Sequence, residues 1–254
     1  MERLQKIAVP LAAILGFLAL WEFIVWVNGW PNYVMASPSD LPAAYARFWE
    51  LFFIMGWQTL WRTILGLALA VAFGTLLGMA MGFSRIARDA LYPLLVGFNA
   101  IPKATLVPVI ALLFIGQHDF NTVLMAFLIS FFPIAVSVGI GLSTLEPEYR
   151  DILRSLGASR TTIFWKIALP KTLPEFFGAL KVSVTLAFIG TNLVEIVSPH
   201  GRGLGALFKS GETNGDYPLM FAVLIALAAL GILLYYAVVA LERIFAGWAE
   251  RPQG

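Results

Sequence analysis

Apolar runs of about 20 residues recur along this chain, and that is the length a helix needs to cross the hydrocarbon core of a bilayer. Six segments qualify. They are Ile7–Val27, Thr63–Phe83, a third run from Leu91–Ile101 through a Pro102-Lys103 interruption to Leu106–Ile115, and then Thr122–Leu142, Phe176–Val197 and Leu219–Leu241. Composition points the same way. Of 254 residues, 59% are hydrophobic and 13% charged, with a mean hydropathy of +0.82, where a soluble domain carries about 25% charge. The expectation is an all-α integral membrane protein, with residues 1–254 forming a single transmembrane domain.

Several chemistries are excluded or disfavoured at once. The chain has no cysteine, which removes disulfides, thiol catalysis and thiolate metal sites. His118 and His200 are far apart, and neither has an acidic and a nucleophilic neighbour inside a span, so neither a metal site nor an intramembrane enzyme is expected. A net charge of +2 without a basic stripe excludes nucleic acid as a partner. The chain has no G-x-x-x-x-G-K-[ST] loop, so it is not expected to bind ATP itself. Gly201, Gly203 and Gly205 follow no strand and open no βαβ unit. They predict a short external or re-entrant turn rather than a dinucleotide fingerprint.

The first apolar run, though preceded by Arg3 and Lys6, is too long for a signal-peptide core and has no small-x-small cleavage site close behind it. It is read as a retained helix. Six spans put both termini on one side, and basic residues choose which. Arg3, Lys6, Arg85, Arg88, Arg150, Arg154, Arg160, Lys166, Lys171, Arg243 and Arg251 fall on the side of the termini; Arg47, Arg62, Arg202 and Lys209 fall on the other, together with Lys103 if it lies outside the span. Both ends are therefore expected in the cytoplasm. Lys181 lies within the fifth span near its cytoplasmic start, placed to snorkel.

Gly66, Ala70, Gly74, Gly78 and Gly82 form a small-residue stripe along the second span, expected to admit a close helix neighbour within the bundle or across a dimer. Residues 38–56 place Leu41, Tyr45, Phe48, Trp49 and Phe52 at helical spacing and read as an amphipathic helix on the outer interface.

The largest cytoplasmic loop carries the most information. Pro147 suits a first helical turn, and Glu148 and Asp151 suit its dipole. Tyr149, Ile152, Leu153 and Leu156 form an apolar face, with Arg150, Asp151, Arg154 and Ser155 opposite. Gly157 predicts a stop, and Ser159 a cap for a second short helix with Ile163, Phe164 and Ile167 on its apolar side, ending at Leu169-Pro170.

The spacing from Gly157 through nine residues to Ile167 and then Leu169-Pro170 resembles the EAA loop of the membrane subunits of binding-protein-dependent ABC importers. Pro38-Ser39, the run Ala100-Ile-Pro-Lys-Ala-Thr-Leu-Val-Pro108, Phe131-Phe-Pro133 and Gly203-Leu-Gly205 are similar to the nitrate, taurine and alkanesulfonate branch. Together these cover most of the chain, from Pro38 onward. Where the family pattern has Glu-Ala-Ala, this sequence has Asp151-Ile152-Leu153, which keeps the acidic charge on a shorter stem beside bulkier neighbours.

The resemblance implies a six-helix type I importer permease in a bacterial cytoplasmic (inner) membrane, non-catalytic and homodimeric. It implies two copies of an ATPase subunit, which bind ATP and Mg in place of this chain, and a periplasmic or lipid-anchored substrate-binding protein. Residues 146–170 would be the coupling helices, with Asp151, Leu153, Arg154, Leu156, Gly157, Ala158, Ser159, Arg160 and Phe164 meeting the ATPase. Intramembrane polar groups and proline breaks are the default pathway candidates: Asn99, Pro102, Lys103, Pro133, Thr191, Asn192 and Glu195, with Thr105, Ser130 and Thr185 nearby. Pro102 and Pro108 are both expected to break the third span. The branch suggests a small organic or inorganic anion such as a sulfonate or nitrate; a neutral heterocyclic vitamin precursor or aromatic acid is the alternative. A secondary transporter coupling ions through Glu22, Lys103 and Glu195 is a further one, but it would want inverted repeats and paired broken helices, and the sequence has one broken span.

Overall fold

The computed structural model describes residues 2–143, 152, 155–198 and 201–248. Secondary structure among them is helical throughout. Helix α1 covers Glu2–Asn28, α2 Leu41–Phe83, α3 Arg85–Ala100, α4 Leu106–Leu113 and α5 His118–Ser143. A short α6, Arg160–Ile163, leads through a π turn at Phe164–Ala168 into α7, Leu169–Val197; α8 covers Leu204–Asn214 and α9 Tyr217–Phe245. Four segments are long and apolar enough to span a membrane, those built on α2, α5, α7 and α9. The α3 and α4 regions pass together as a fifth, broken span bent by 75°. The described apolar part of α1, Ala12–Asn28, is shorter.

Three boundaries differ from the sequence expectation, each for a local reason. The stretch 38–56, expected as a helix of its own, does not end at residue 56. It runs on into the second span as the 43-residue α2, kinked where Phe48 leaves helical geometry (φ −120°, ψ 22°). No proline or turn motif after Met55 stops it. In the third span only Pro102 breaks the helix. The residue before a proline avoids helical geometry, and Ile101 is extended (φ −64°, ψ 129°). Pro108 sits in the first turn of α4, where amides lack intrahelical partners anyway. The short helix expected after Ser159 does not end at Leu169-Pro170. Pro170 has no N–H to donate, and the preceding π turn, with Leu169 N bonded to Phe164 O, absorbs the missing bond and carries the chain into α7.

The core lies where α5 sits between α2 and α7. On the α2 stripe, an added Cβ would meet Ala126 Cβ at 2.5 Å from Gly66, Phe131 O at 2.8 Å from Gly74, and the Cβ atoms of Val138 and Leu142 at 2.6 Å from Gly78 and Gly82. The small stripe is thus a backbone-to-backbone seat for α5 within this chain. Gly190 seats α7 on the opposite side, 3.0 Å from Ala126 Cα by the same measure. Ile134, Ala135, Val138, Phe177 and Val184 are buried between them. Trp21 and Val25 of α1 pack with Leu41, Ala44 and Ala222, and Glu22 accepts from Ser39 N (3.0 Å) and Oγ (2.9 Å).

Candidate functional site

Two regions at opposite ends of α7 concentrate the functional side chains. The first is the turn before α6. Gly157 has φ +82°, with open space where a Cβ would stand. The turn therefore selects glycine by backbone conformation and not by crowding. Ser159 Oγ accepts from Thr162 N at 3.1 Å, the cap expected of it. Ile163 is buried, and Ala158, Phe164 and Ile167 pack partly against the core. The Phe164 ring lies 5.4 Å from that of Phe83 at the end of α2. In contrast, Ile152 is 57% and Leu156 78% exposed. Residues 158–167 are thus anchored to α2 and α5, while Ile152 and Leu156 present apolar side chains outward. Asp151, Leu153 and Arg154 lie outside the described residues, and Arg160 begins α6.

The residues named for the pathway separate into two groups. Asn99, Pro102 and Thr105 are exposed at the break between α3 and α4. Lys103 turns back on the end of α3, donating from Nζ to Asn99 O (2.7 Å) and Oδ1 (2.8 Å), and so caps that helix. Pro133 is half-buried on α5, in an open groove of about 400 Å³ with Phe132, Val136, Ser137, Ile140 and Glu175. Val136 and Ile140 also border a neighbouring cleft of about 420 Å³ against α3, which carries Arg88, Asp89 and Tyr92. Thr191 and Glu195, by contrast, are fully buried in the bundle. Asn192 is half-buried, donating to Phe188 O at 2.8 Å. Ser130 and Thr185 bond back to their own helices. Lys181 is half-buried and paired with Glu242 on α9 at 2.8 Å.

The second region is built around Arg62, which sequence reading had placed among the outer loop charges. It is only 1% exposed. Its Nε and Nη2 donate to Asp119 Oδ1 (2.8 and 2.5 Å) and its Nη1 to Glu195 Oε1 (3.2 Å) and to Arg202 O. Thr59 Oγ1 lies 2.8 Å from Glu195 Oε2, and Thr63 donates to Thr191 at 3.0 Å. His118 Nε2 accepts from Arg202 N at 3.2 Å, and its Nδ1 is 3.2 Å from Ser198 Oγ. A signal for this cluster exists in the sequence. Thr59, Arg62 and Thr63 continue the i, i+3, i+4 face of the small stripe that starts at Gly66. Among the described residues, no group of three His, Asp or Glu side chains is arranged to hold a metal.

Residues 70–247 match the family described as binding-protein-dependent transport system inner membrane component. The chain is 32% identical over 252 residues to a formylaminopyrimidine transport permease of Halalkalibacterium halodurans, covering 99% of this chain and all of that one. It is 26% identical to the taurine transport permease of Escherichia coli, over 98% of this chain and 92% of the relative. It is also 27% identical to a bicarbonate transport permease of Synechococcus elongatus, over 95% and 90%. Among solved structures, an inward-facing conformation of the MetNI methionine ABC transporter aligns with a TM-score of 0.62 at 20% identity, covering 78% of this chain and 98% of that one. That likeness speaks to the fold.

Proposed function

We propose a function from one premise: the chain belongs to the family of binding-protein-dependent transport system inner membrane components. It is the non-catalytic, multi-pass membrane subunit of an ABC importer, with the type I permease fold. In our reading it works as a homodimer whose two cytoplasmic hairpins each dock on one ATPase subunit, where ATP and Mg are bound. A periplasmic or lipid-anchored binding protein delivers solute to the end opposite Gly157. Both termini lie in the cytoplasm.

The observation that supports the coupling role is the two-sided segment around Gly157. Ile163 and Phe164 root it in the bundle, while Ile152 and Leu156 face outward. Apolar side chains held out from a rigid mount suit a protein groove. Closure of the ATPase pair on ATP would push the two turns together and rock α7 and α5, opening the central cavity to alternate sides. The driving energy is the ATPase's different affinity for the two states. Solute would pass along the face formed by the α3–α4 break and the Pro133 groove, past Asn99, Pro102 and Lys103. Replacing Leu156 with Glu tests the docking. The expected result is at least a tenfold loss of co-purifying ATPase subunit, with the permease still present in the membrane.

For the substrate, we favour the neutral heterocycle over the small anion. The Pro133 groove is bordered by Glu175, whose carboxylate disfavours an anion at that point. The 32% identity to a formylaminopyrimidine permease, against 26% to a taurine permease, supports the same reading. Calorimetry on the partner binding protein with formylaminopyrimidine, riboflavin, taurine and bicarbonate decides between them; tight binding of taurine or bicarbonate alone would reverse this choice.

A further inference from the structure

Helix α8 starts without a cap of its own. Its N-cap is Gly203, which has no side chain to accept from the free amides of the first turn. Two of those amides are satisfied from other helices. Leu204 N donates to Thr59 Oγ1 at 2.8 Å and Gly205 N to Glu195 Oε2 at 3.1 Å. The carboxylate thus stands at the positive end of α8, where the helix dipole favours it. Glu195 is 0% exposed and is held in turn by Arg62 and Thr59. Gly203 has φ +124°, and a Cβ there would collide with this carboxylate; from Gly205 a Cβ would lie 2.8 Å from Glu195 Cβ. The two glycines let the loop close over the acid.

On its inner side α8 packs Leu204 and Leu207 with Leu219 and Val223; Lys209, Ser210, Glu212 and Thr213 are exposed on the other side. We propose that Glu195, held by Arg62 and Thr59, is a positioning residue: it fixes the amino end of α8 and thereby sets the face that this helix offers to the substrate-binding protein. This rests on the importer reading given above. Glu195 acts through α8 and does not touch solute in this conformation, since Arg62, Thr59 and Gly205 surround its carboxylate inside the bundle. Because Arg62 also binds Asp119, the docking helix is tied to α2, α5 and α7 together. Those three carry the coupling turn at their other end.

The test uses the assembled permease–ATPase complex in nanodiscs, with ATPase rate titrated against the liganded binding protein of the same system. Thr59→Val keeps the volume and removes the hydroxyl; Glu195→Gln keeps the shape and removes the charge. Each is expected to raise the half-saturating concentration of binding protein about tenfold. The maximal rate should change by less than about twofold, and Thr59→Ser should restore the parent value. Hydrogen exchange read on the same complexes without binding protein should speed up about tenfold at Leu204–Leu207 in Thr59→Val and stay unchanged in α5. Unchanged exchange in α8, or faster exchange spread over the whole bundle, overturns the positioning role whatever the partner does. An unchanged half-saturating concentration alongside faster α8 exchange overturns the docking part alone. A parent complex that ignores binding protein overturns the importer reading and this proposal with it.

Discussion

At the residue scale, Gly157 separates strain from crowding. A side chain there meets nothing, so the cost of substitution is the left-handed backbone itself, largest for a β-branched residue and small for Asn. Gly157→Val is therefore expected to reach the membrane and lose at least tenfold of substrate-stimulated ATPase activity, while Gly157→Asn retains most of it; equal activity in the two variants contradicts the turn's role in coupling. The same residue was legible in sequence because a glycine closing an amphipathic helix has a recognised local meaning. Arg62 was not. It borders the apolar run of the second span, and a boundary charge reads as a loop charge. Its place on the face that continues the small stripe is the one local signal; the burial itself depends on Asp119 and Glu195 arriving from α5 and α7.

At the scale of elements, the α2 stripe is the sharpest case. Its spacing predicted a close helix contact, but the partner, α5, became visible only in three dimensions. Because Gly74 would set a Cβ 2.8 Å from Phe131 O, backbone itself must move to admit a side chain. Gly74→Leu is expected to cost about 3 kcal/mol and to cut recovery of folded protein in mild detergent sharply. Gly16→Leu on α1, where the space is open, should change recovery little. Equal recovery would show that the seat is not needed. Length was harder to read than contact. At about 1.5 Å per residue, α2 is about 65 Å long, twice the hydrocarbon core. A kink at Phe48, rather than a loop, joins its first two turns to the long apolar run that follows. Likewise the π turn at Phe164–Ala168 replaces the stop that Pro170 suggested. A proline normally ends a helix; here one wider turn absorbs it.

For the whole molecule, the second to sixth spans and the break in the third were legible, since apolar run length and X-Pro geometry are local properties; the first expected span is met in the described residues only by the shorter apolar segment Ala12–Asn28. The packing order, with α5 between α2 and α7, was not, because it depends on which small faces meet. Orientation rests on the asymmetry of basic residues and has its own test. A cysteine at Ser159, in an otherwise cysteine-free chain, should resist an impermeant thiol reagent in intact cells and label in inside-out vesicles; labelling in intact cells would invert the topology. The central claim, that this chain couples a solute path to an ATPase it does not contain, is tested most directly by purifying the tagged chain from its native membrane in mild detergent and identifying what accompanies it. The account predicts a stoichiometric ATPase subunit, lost in Leu156→Glu. A chain that emerges alone and moves solute into liposomes without ATP would contradict it.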